Sequence, residues 1–287
     1  MALEIQFFCP RWGSEHMSWD GFCRKVKQEG YDGIEYAIAH NVTGKDLDLA
    51  WNAAAKHNLR IIAQHFDTYT ADFPRHYNAY CTWLQRIRSY QPLKVNSQTG
   101  KDFFTFQQNK ELIDAAADSG MQVIHETHRN KFSFAAHVAK NYMENIPELR
   151  ITLDVSHWVC VAESFLDDQA SAMQLAIERT DHIHARVGYP EGPQVADPRV
   201  EEWQEALNKH LKWWDQVVKY KKKQSPDGPL TISPEFGPFP YMVRIPASGK
   251  PIAGQWEINS YMMHLLKKRY THTNESTCKK RMAAHTL

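Results

Sequence analysis

The chain has 287 residues, with 34 Lys and Arg against 33 Asp and Glu, which gives a formal net charge of +1. A protein that binds nucleic acid through its phosphates usually carries a marked basic excess, so this balance argues against a nucleic-acid partner. The hydrophobic content of 43% and the aromatic content of 12% exclude a disordered chain. They leave two domains or one large α/β barrel as the expected organisation.

Targeting and redox features of the sequence favour one compartment. No apolar run approaches the roughly 20 residues that span a bilayer, and the first residues lack the charged and apolar regions of a signal peptide. The five cysteines are widely spaced and never form a CxxC pair, which argues against a disulfide framework or a thiolate zinc site. We therefore expect a cytoplasmic protein with no membrane partner.

Short apolar runs, often β-branched, recur along the chain, and each predicts a buried strand. The eight runs are Leu3–Cys9, Gly33–Ala37, Arg60–Gln64, Leu93–Asn96, Gln122–Glu126, Arg150–Asp154, His182–Val187 and Leu230–Ser233. Successive runs start roughly 27 to 33 residues apart until the last gap, which is close to the roughly 30 residues that a βα unit needs.

Helical patterns lie between these strands. Ser18 is placed to cap a first helix that Gly30 ends. Further helices are predicted at Asp46–His57, Phe106–Gly120, Ser133–Asn145, Glu201–Lys223 and Trp256–Tyr270. Eight strands that alternate with helices predict an α/β fold, a (β/α)8 TIM barrel.

The competing fold is a doubly wound open sheet. Such a sheet normally has a Gly-rich phosphate turn after its first strand, and the segment Cys9–Gly13 is not one. We expect a single catalytic domain over residues 1–270. The polar, unpatterned residues 271–287 are expected to form a flexible tail.

Polar residues collect where four consecutive predicted strands end. The fifth strand ends in Glu126, the sixth ends in Asp154, the seventh carries His182 and His184, and Glu235 follows the eighth. The carboxyl ends of all barrel strands face one mouth, so these side chains should converge. Each alone fits a structural role such as a turn residue or an ion-pair acid. Four together, at four consecutive strand ends, favour a functional site.

Three carboxylates near a barrel core need a compensating charge, because an unpaired buried charge is destabilising. A divalent cation held by Glu126, Asp154, His184 and Glu235 would supply it. This oxygen-rich set suits Mn²⁺, Mg²⁺ or Co²⁺ better than Zn²⁺. A six-coordinate ion with four protein ligands would keep two positions for substrate oxygens and would polarise a carbonyl beside a hydroxyl.

Other residues near the predicted mouth are candidates for substrate contact. His65 ends the third strand and Glu35 lies on the second, and a place in the polar rim explains either equally well. Arg186 should point to the same side as the strand-seven histidine and could hold a substrate hydroxyl. Trp158 could wall a sugar-sized pocket, although core packing is the default for a single aromatic residue.

This set of strand-end residues resembles the xylose isomerase-like TIM-barrel superfamily, which contains sugar isomerases and epimerases and also type IV apurinic endonucleases. The resemblance runs from the first strand to about Tyr270. It rests on the strand-five Glu126, on Asp154-x-x-His157, on His182-x-His184 and on Glu235.

The resemblance implies specific roles. One divalent metal would be bound by Glu126, Asp154, His184 and Glu235. Glu126 and Glu235 would also form the acid/base pair, and His157 and Arg186 would contact the substrate.

The function expected from this resemblance is metal-dependent isomerisation or epimerisation of a ketose or related polyol ketone through an enediolate. An inosose-type dehydratase of the same fold uses the same proton abstraction and is the nearest alternative. A type IV endonuclease is further away, because the strand-four segment Asn96–Gly100 lacks the histidine that such enzymes need. A non-enzymatic sugar-binding barrel is the remaining alternative, and homo-oligomerisation is left open.

Overall fold

A computed structural model describes residues 3–224 and 228–283, without the side chains of residues 271–283. Its eight strands are all parallel and form a closed barrel in sequence order. The strands are β1 (Ile5–Pro10), β2 (Gly33–Ala37), β3 (Arg60–His65), β4 (Lys94–Ser97), β5 (Val123–Glu126), β6 (Ile151–Leu153), β7 (Thr180–His184) and β8 (Leu230–Ser233). The predicted (β/α)8 fold class is therefore confirmed.

Helices follow the strands around the outside of the barrel. They are α1 (Trp19–Glu29), α2 (Gly44–Lys56), α3 (Phe73–Arg88), α4 (Phe106–Asp118), α5 (Ala136–Asn145), α6 (Val155–Ala162), α7 (Ala170–Arg179), α8 (Gln204–Gln224) and α9 (Gln255–Ala283). A single 3-10 turn, Glu201–Trp203, precedes α8. Large buried side chains such as Trp83 and Trp214 lie in the layer between helices and barrel. Among the described residues, no helix is long and apolar enough to span a membrane.

The first helix shows how the local sequence sets element bounds. The Ser18 side chain accepts a hydrogen bond from the backbone N–H of Gly21, which satisfies one donor of the first turn. Gly30 ends the helix with a φ of 96°, a left-handed conformation that glycine adopts without steric penalty. Both predicted ends of this helix are confirmed.

Other bounds differ from the sequence prediction. Strand β7 is Thr180–His184 rather than His182–Val187, so the chain leaves the barrel directly after His184. Helices α3, α6 and α7 had no predicted counterpart. Helix α6 begins straight after Asp154, whose side chain caps it by accepting from the Ser156 N–H, so a residue predicted as a strand end is a helix cap.

The last helix passes the predicted end at Tyr270 and continues to Ala283. Residues 284–287 of the predicted tail lie outside the described residues. The flexibility of residues 271–287 and the domain boundary at residue 270 stay predictions.

A partly buried ion network closes the amino-terminal end of the barrel. Asp181 of β7 accepts hydrogen bonds from Arg150 at 2.8 and 3.0 Å and a further one from Lys221 of α8. Nearby, the Lys94 ammonium donates to the backbone carbonyls of Asp181 and Pro229 at 2.8 and 2.9 Å. These bonds tie strands β4, β7 and β8 to helix α8 below the mouth.

We expect Asp181→Asn to lower the free energy of unfolding by about 2–3 kcal/mol, because it leaves two cations without their carboxylate. Burial alone would raise the pKa of Asp181, but its bonds to Arg150 and Lys221 hold the pKa below its usual value. The carboxylate therefore stabilises the fold above the unfolded-state pKa, and this contribution is lost as pH falls through the folded-state pKa. Urea unfolding at pH 7 and at pH 3 measures both effects.

The matched control is Asp167→Asn, since Asp167 also pairs with a lysine, Lys209, but its side chain is 80% exposed. An exposed pair contributes at most about 1 kcal/mol. Equal losses of stability in the two variants would contradict the structural role given to Asp181.

Candidate metal centre

A cavity of about 850 Å³ opens at the carboxyl ends of the strands. Its wall includes Gln64 of β3, Glu126 of β5, and Arg186 and Glu235, which follow β7 and β8. Tyr241, from the long loop after β8, closes one side of it. The mouth predicted from the strand ends is therefore a real cavity, and two of the predicted metal ligands face it.

The structure brings the four predicted ligands together. Glu126, Asp154, His184 and Glu235 each offer one ligand atom, and these atoms all lie within 4.8 Å of one another. The first three side chains are fully buried and Glu235 is 5% exposed. Three carboxylates and one imidazole at this spacing have the composition of an oxygen-rich divalent-metal site. Their role as ligands stays a prediction.

Two atoms at the centre of this cluster have no hydrogen-bond partner among the described residues. They are Oε1 of Glu126 and Nδ1 of His184, which lie 3.6 Å apart. Oε2 of Glu235 is 2.9 Å from the same Nδ1, outside hydrogen-bonding geometry. A buried polar atom without a partner costs about 1–3 kcal/mol. A cation between these atoms would remove that penalty, so the residues present fit a metal.

The charged side chains of the cluster shift one another's pKa values. Burial would raise the pKa of Glu126, but the facing His184 lowers it to about 2. Burial raises the pKa of Asp154 to about 6, against the opposing effect of Arg186. For His184, burial disfavours the charged form, yet the carboxylates of Glu235, Glu35 and Glu126 raise its pKa well above the usual value. The chain thus holds an excess of buried negative charge at one point, as a cation site requires.

Glu35 lies behind His184 rather than in the cavity. Its Oε1 is 3.0 Å from His184 Nε2, and its Oε2 is 3.2 Å from His182 Nε2. Asn96 also donates to Glu35 Oε1, at 3.0 Å. With Nε2 held by Glu35, Nδ1 of His184 is the nitrogen turned to the cluster. A carboxylate that accepts from the far nitrogen of a metal-ligating histidine fixes the ring and its tautomer.

We expect Glu35→Gln to weaken Mn²⁺ binding by about 10- to 100-fold, as loss of such an outer partner typically does. The measurement is a competition titration with a fluorescent chelator. The control is Glu15→Gln, because Glu15 lines the same cavity and its carboxylate accepts from the Gly13 N–H, not from the cluster. If both variants bound Mn²⁺ equally tightly, Glu35 would have no part in orienting His184.

Amide side chains hold the two glutamates. Oε2 of Glu126 accepts from Asn96, Gln98 and Gln64 at 3.1, 3.2 and 3.4 Å. Gln64 also donates to Oε1 of Glu235, at 3.2 Å. Each glutamate therefore has one oxygen fixed by neutral donors, and the second oxygen faces the cluster.

Arg186 is the buried cation of the site, with 2% of its surface exposed. Its Nη2 donates to Oδ2 of Asp154 at 2.5 Å and lies 3.8 Å from Oε2 of Glu235. Burial opposes its charge, but Asp154 and Glu235 raise its pKa above the usual value. Nε2 of His157 lies 2.7 Å from the same Nη2. Arg186 lines the cavity as predicted, whereas His157 lies behind it and orients it.

Two predicted substrate-binding residues face away from the cavity. His65 follows Gln64 on β3, and alternate residues of a strand point to opposite faces. Gln64 points into the barrel, so His65 points outward, bonds to Thr68 at 2.7 Å and makes an edge-to-face contact with Trp83 of α3. Trp158 is fully buried and donates to the Ser133 carbonyl at 2.7 Å. Both side chains lie in the layer between barrel and helices. Glu35, the third predicted substrate contact, also does not line the cavity.

The structure also adds residues to the site. Gln64 and Asn96 were not singled out from the sequence. Alternation of side chains along β3 and β4 puts both on the face that points into the barrel, toward the metal cluster. His128 and Arg129, which follow β5, also line the cavity. Lys131 lines it too, and no motif marks it.

Comparison with solved structures defines the class of fold. The chain has the fold of the xylose isomerase-like TIM barrels, so the resemblance stated from the sequence is confirmed at that level. No family model matches the sequence, and no curated protein matches it.

Two similar structures illustrate this fold. One is the probable 3-DHS dehydratase AsbF of petrobactin synthesis from Bacillus anthracis, with a TM-score of 0.56 and 16% identity over 91% of this chain and 98% of that one. The other is a xylose isomerase domain-containing protein from Salmonella typhimurium, with a TM-score of 0.55 and 16% identity over 82% of this chain and 90% of that one. At such identity the likeness extends to the fold alone.

Proposed function

We propose that this protein is a divalent-metal-dependent isomerase or epimerase that acts on a ketose or a related polyol ketone. The observation that carries the proposal is the buried cluster of Glu126, Asp154, His184 and Glu235, whose ligand atoms lie within 4.8 Å of one another beside an 850 Å³ cavity. We place the protein in the reducing cytoplasm, since the cysteines with described side chains, Cys9, Cys23, Cys81 and Cys160, are all free.

The four cluster residues would hold the ion, for which Mn²⁺, Mg²⁺ or Co²⁺ fits three carboxylates and one imidazole better than Zn²⁺. When bound, the ion supplies Lewis-acid polarisation of the substrate carbonyl. Asp154 and His184 do not line the cavity, which suits holding the ion alone. Glu126 and Glu235 line the cavity, so they alone of the four face a substrate.

The proton transfers fall to these two glutamates. One removes the proton from the carbon beside the carbonyl, and the other returns it to the adjacent carbon or to the opposite face. Arg186 donates toward the same region and stabilises negative charge on the substrate oxygens as the enediolate forms. Gln64 bonds to both glutamates and keeps their spacing fixed during the transfer.

The test is proton–deuterium exchange from D₂O into a panel of ketoses and inososes, read by NMR after loading the protein with Mn²⁺. Exchange at the carbon next to the carbonyl, with an isomer or epimer as product, supports the proposal. A fully metallated protein that exchanges no proton of any panel member contradicts it.

An inosose-type dehydratase is the second candidate, and His128 is the observation that favours it. Its Nδ1 lies 2.6 Å from the Arg129 carbonyl, which fixes the N–H on that nitrogen and turns Nε2 to the cavity. Burial lowers the pKa of His128 to about 4, so the ring is a neutral proton acceptor at pH 7. Loss of water from a panel substrate, seen as a new enone absorbance, would select this reaction.

A further inference from the structure

One cationic side chain of the cavity wall has no role in the proposed chemistry. Lys131 follows Glu126 by five residues, and its side chain is only 2% exposed. Its Nζ has no hydrogen-bond partner, and no carboxylate oxygen of the described residues lies within 4.0 Å of it. A buried ammonium without a partner is destabilising by several kcal/mol, so its retention requires a reason.

The loop after β5 fixes this side chain at the cavity. Asn130 adopts a left-handed φ of 62°, which is uncommon for a residue other than glycine. The turn is held by the bond from the Lys131 N–H to the His128 carbonyl at 3.2 Å and from the Phe132 N–H to the Thr99 carbonyl at 3.3 Å. The loop thus places Lys131 in the cavity wall, and the left-handed backbone of Asn130 that it requires is itself energetically unfavourable.

A second lysine lies close to Lys131. Its Nζ and that of Lys101 lie 5.8 and 5.6 Å from the ring centroid of Tyr69, so both amines flank one ring at the cavity edge. Burial and the neighbouring Lys101 lower the pKa of Lys131 to about 8, although the carboxylates of Glu126, Asp67 and Asp102 act in the opposite direction. Lys131 is therefore charged at pH 7.

Arg129 adds a second cation to the same loop. It bonds to His157 at 3.0 Å and to the Tyr241 hydroxyl at 3.3 Å and, within the described part of the chain, to no carboxylate. Of the acids in the cavity wall, Glu126 and Glu235 belong to the proposed metal cluster, and Glu15 accepts from the Gly13 N–H. Among the described residues, therefore, neither of these two cations has a carboxylate oxygen within 4.0 Å.

We propose that Lys131 binds an anionic group of the substrate, a carboxylate or a phosphate monoester, in this cavity, and that Arg129 of the same wall adds positive charge to it. This inference rests on the proposed function, because it names the substrate class of that same site. A bound anion would accept a hydrogen bond from Nζ of Lys131 and would balance the positive charge of this ammonium. The substrate is then an acidic or phosphorylated polyol ketone rather than a neutral sugar.

The experiment uses unreactive polyols, so that it does not depend on turnover. D-glucitol, D-gluconate and D-glucitol 6-phosphate are titrated into the Mn²⁺-loaded protein by calorimetry. We expect one of the two anions to bind at least about 10-fold more tightly than glucitol, as a charge-assisted bond implies. The anion that binds more tightly shows whether the site prefers a carboxylate or a phosphate. Equal or undetectable binding of all three would overturn the proposal.

Variants separate Lys131 from direct anion binding to the metal. Lys131→Met should abolish the anion preference, and Lys131→Arg should keep most of it, since Arg retains the charge. The control Lys110→Met, at a partly exposed lysine that pairs with Asp114 outside the cavity, should leave the preference unchanged. An anion preference that survives in Lys131→Met would overturn the proposal.

Stability supplies a readout that is independent of ligand. Removal of an unpartnered buried ammonium should raise the thermal midpoint of the ligand-free Lys131→Met protein, and a lowered midpoint would contradict the assignment.

Deuterium exchange distinguishes this inference from the proposed function. Exchange into neutral and anionic ketones alike, with no effect of Lys131→Met, would retain the isomerase and reject the anion site. Anion binding without any exchange would retain the anion site and reject the isomerase.

Discussion

Glu126→Gln is expected to reduce the rate of proton exchange into a ketose by about 10³-fold or more. General acid–base catalysis alone contributes about 10²–10⁴ in rate, and the substitution also removes a charged ligand from the cluster. Gln keeps the size of the side chain and an oxygen that can accept from Asn96 and Gln98, so the fold should survive. Exchange is measured with saturating Mn²⁺, so that loss of metal is separated from loss of the acid/base group.

Glu235→Gln should cause a loss of similar size, and the double variant should lose little more than either single one. Groups that act as a unit in one reaction show such non-additive effects. Glu15→Gln, in the wall of the same cavity, should leave exchange within a few-fold of the native rate. Native exchange rates in Glu126→Gln at full metal occupancy would exclude this glutamate from the proton transfer.

Binding of Mn²⁺ is expected to raise the free energy of unfolding by about 2.7 kcal/mol at 100 times its Kd and about 4.1 kcal/mol at 1,000 times. The gain arises because the four ligands are assembled only in the folded chain. Asp154→Asn should remove most of it. The Asn side chain can still cap α6 by accepting from Ser156, so the loss reports the ligand and not the helix.

The control for this effect is Asp67→Asn. Asp67 follows β3 near the mouth, and it pairs with the His40 ring and backbone, not with the cluster. The metal should stabilise this variant as much as the native chain. Chemical unfolding with and without Mn²⁺ gives both values, and an undiminished metal effect in Asp154→Asn would remove this residue from the ligand set.

The metal cluster could be predicted because strand ends are readable in the sequence. Glu126, Asp154, His184 and Glu235 follow four apolar runs, and the geometry of a parallel barrel alone brings such positions to one mouth. The exact bounds mattered little: Asp154 caps a helix and does not end a strand, yet its carboxylate still reaches the cluster. Topology, rather than element bounds, determines which residues meet.

The substrate side was harder to predict, for two physical reasons. First, the face on which a strand residue lies depends on register, so a one-residue difference separates Gln64 in the barrel from His65 in the helix layer. Second, loops carry no periodicity. The burial of Lys131 follows from the left-handed Asn130 and from tertiary contacts, neither of which a single sequence displays.

The central claim is that one divalent ion is bound by Glu126, Asp154, His184 and Glu235, and metal stoichiometry tests it most directly. Equilibrium dialysis against Mn²⁺ followed by elemental analysis should give one ion per native chain. The double variant Asp154→Asn/Glu235→Gln, verified as folded by circular dichroism, should hold none. A native chain that binds no metal, or a double variant that still binds one ion with native affinity, would contradict the account.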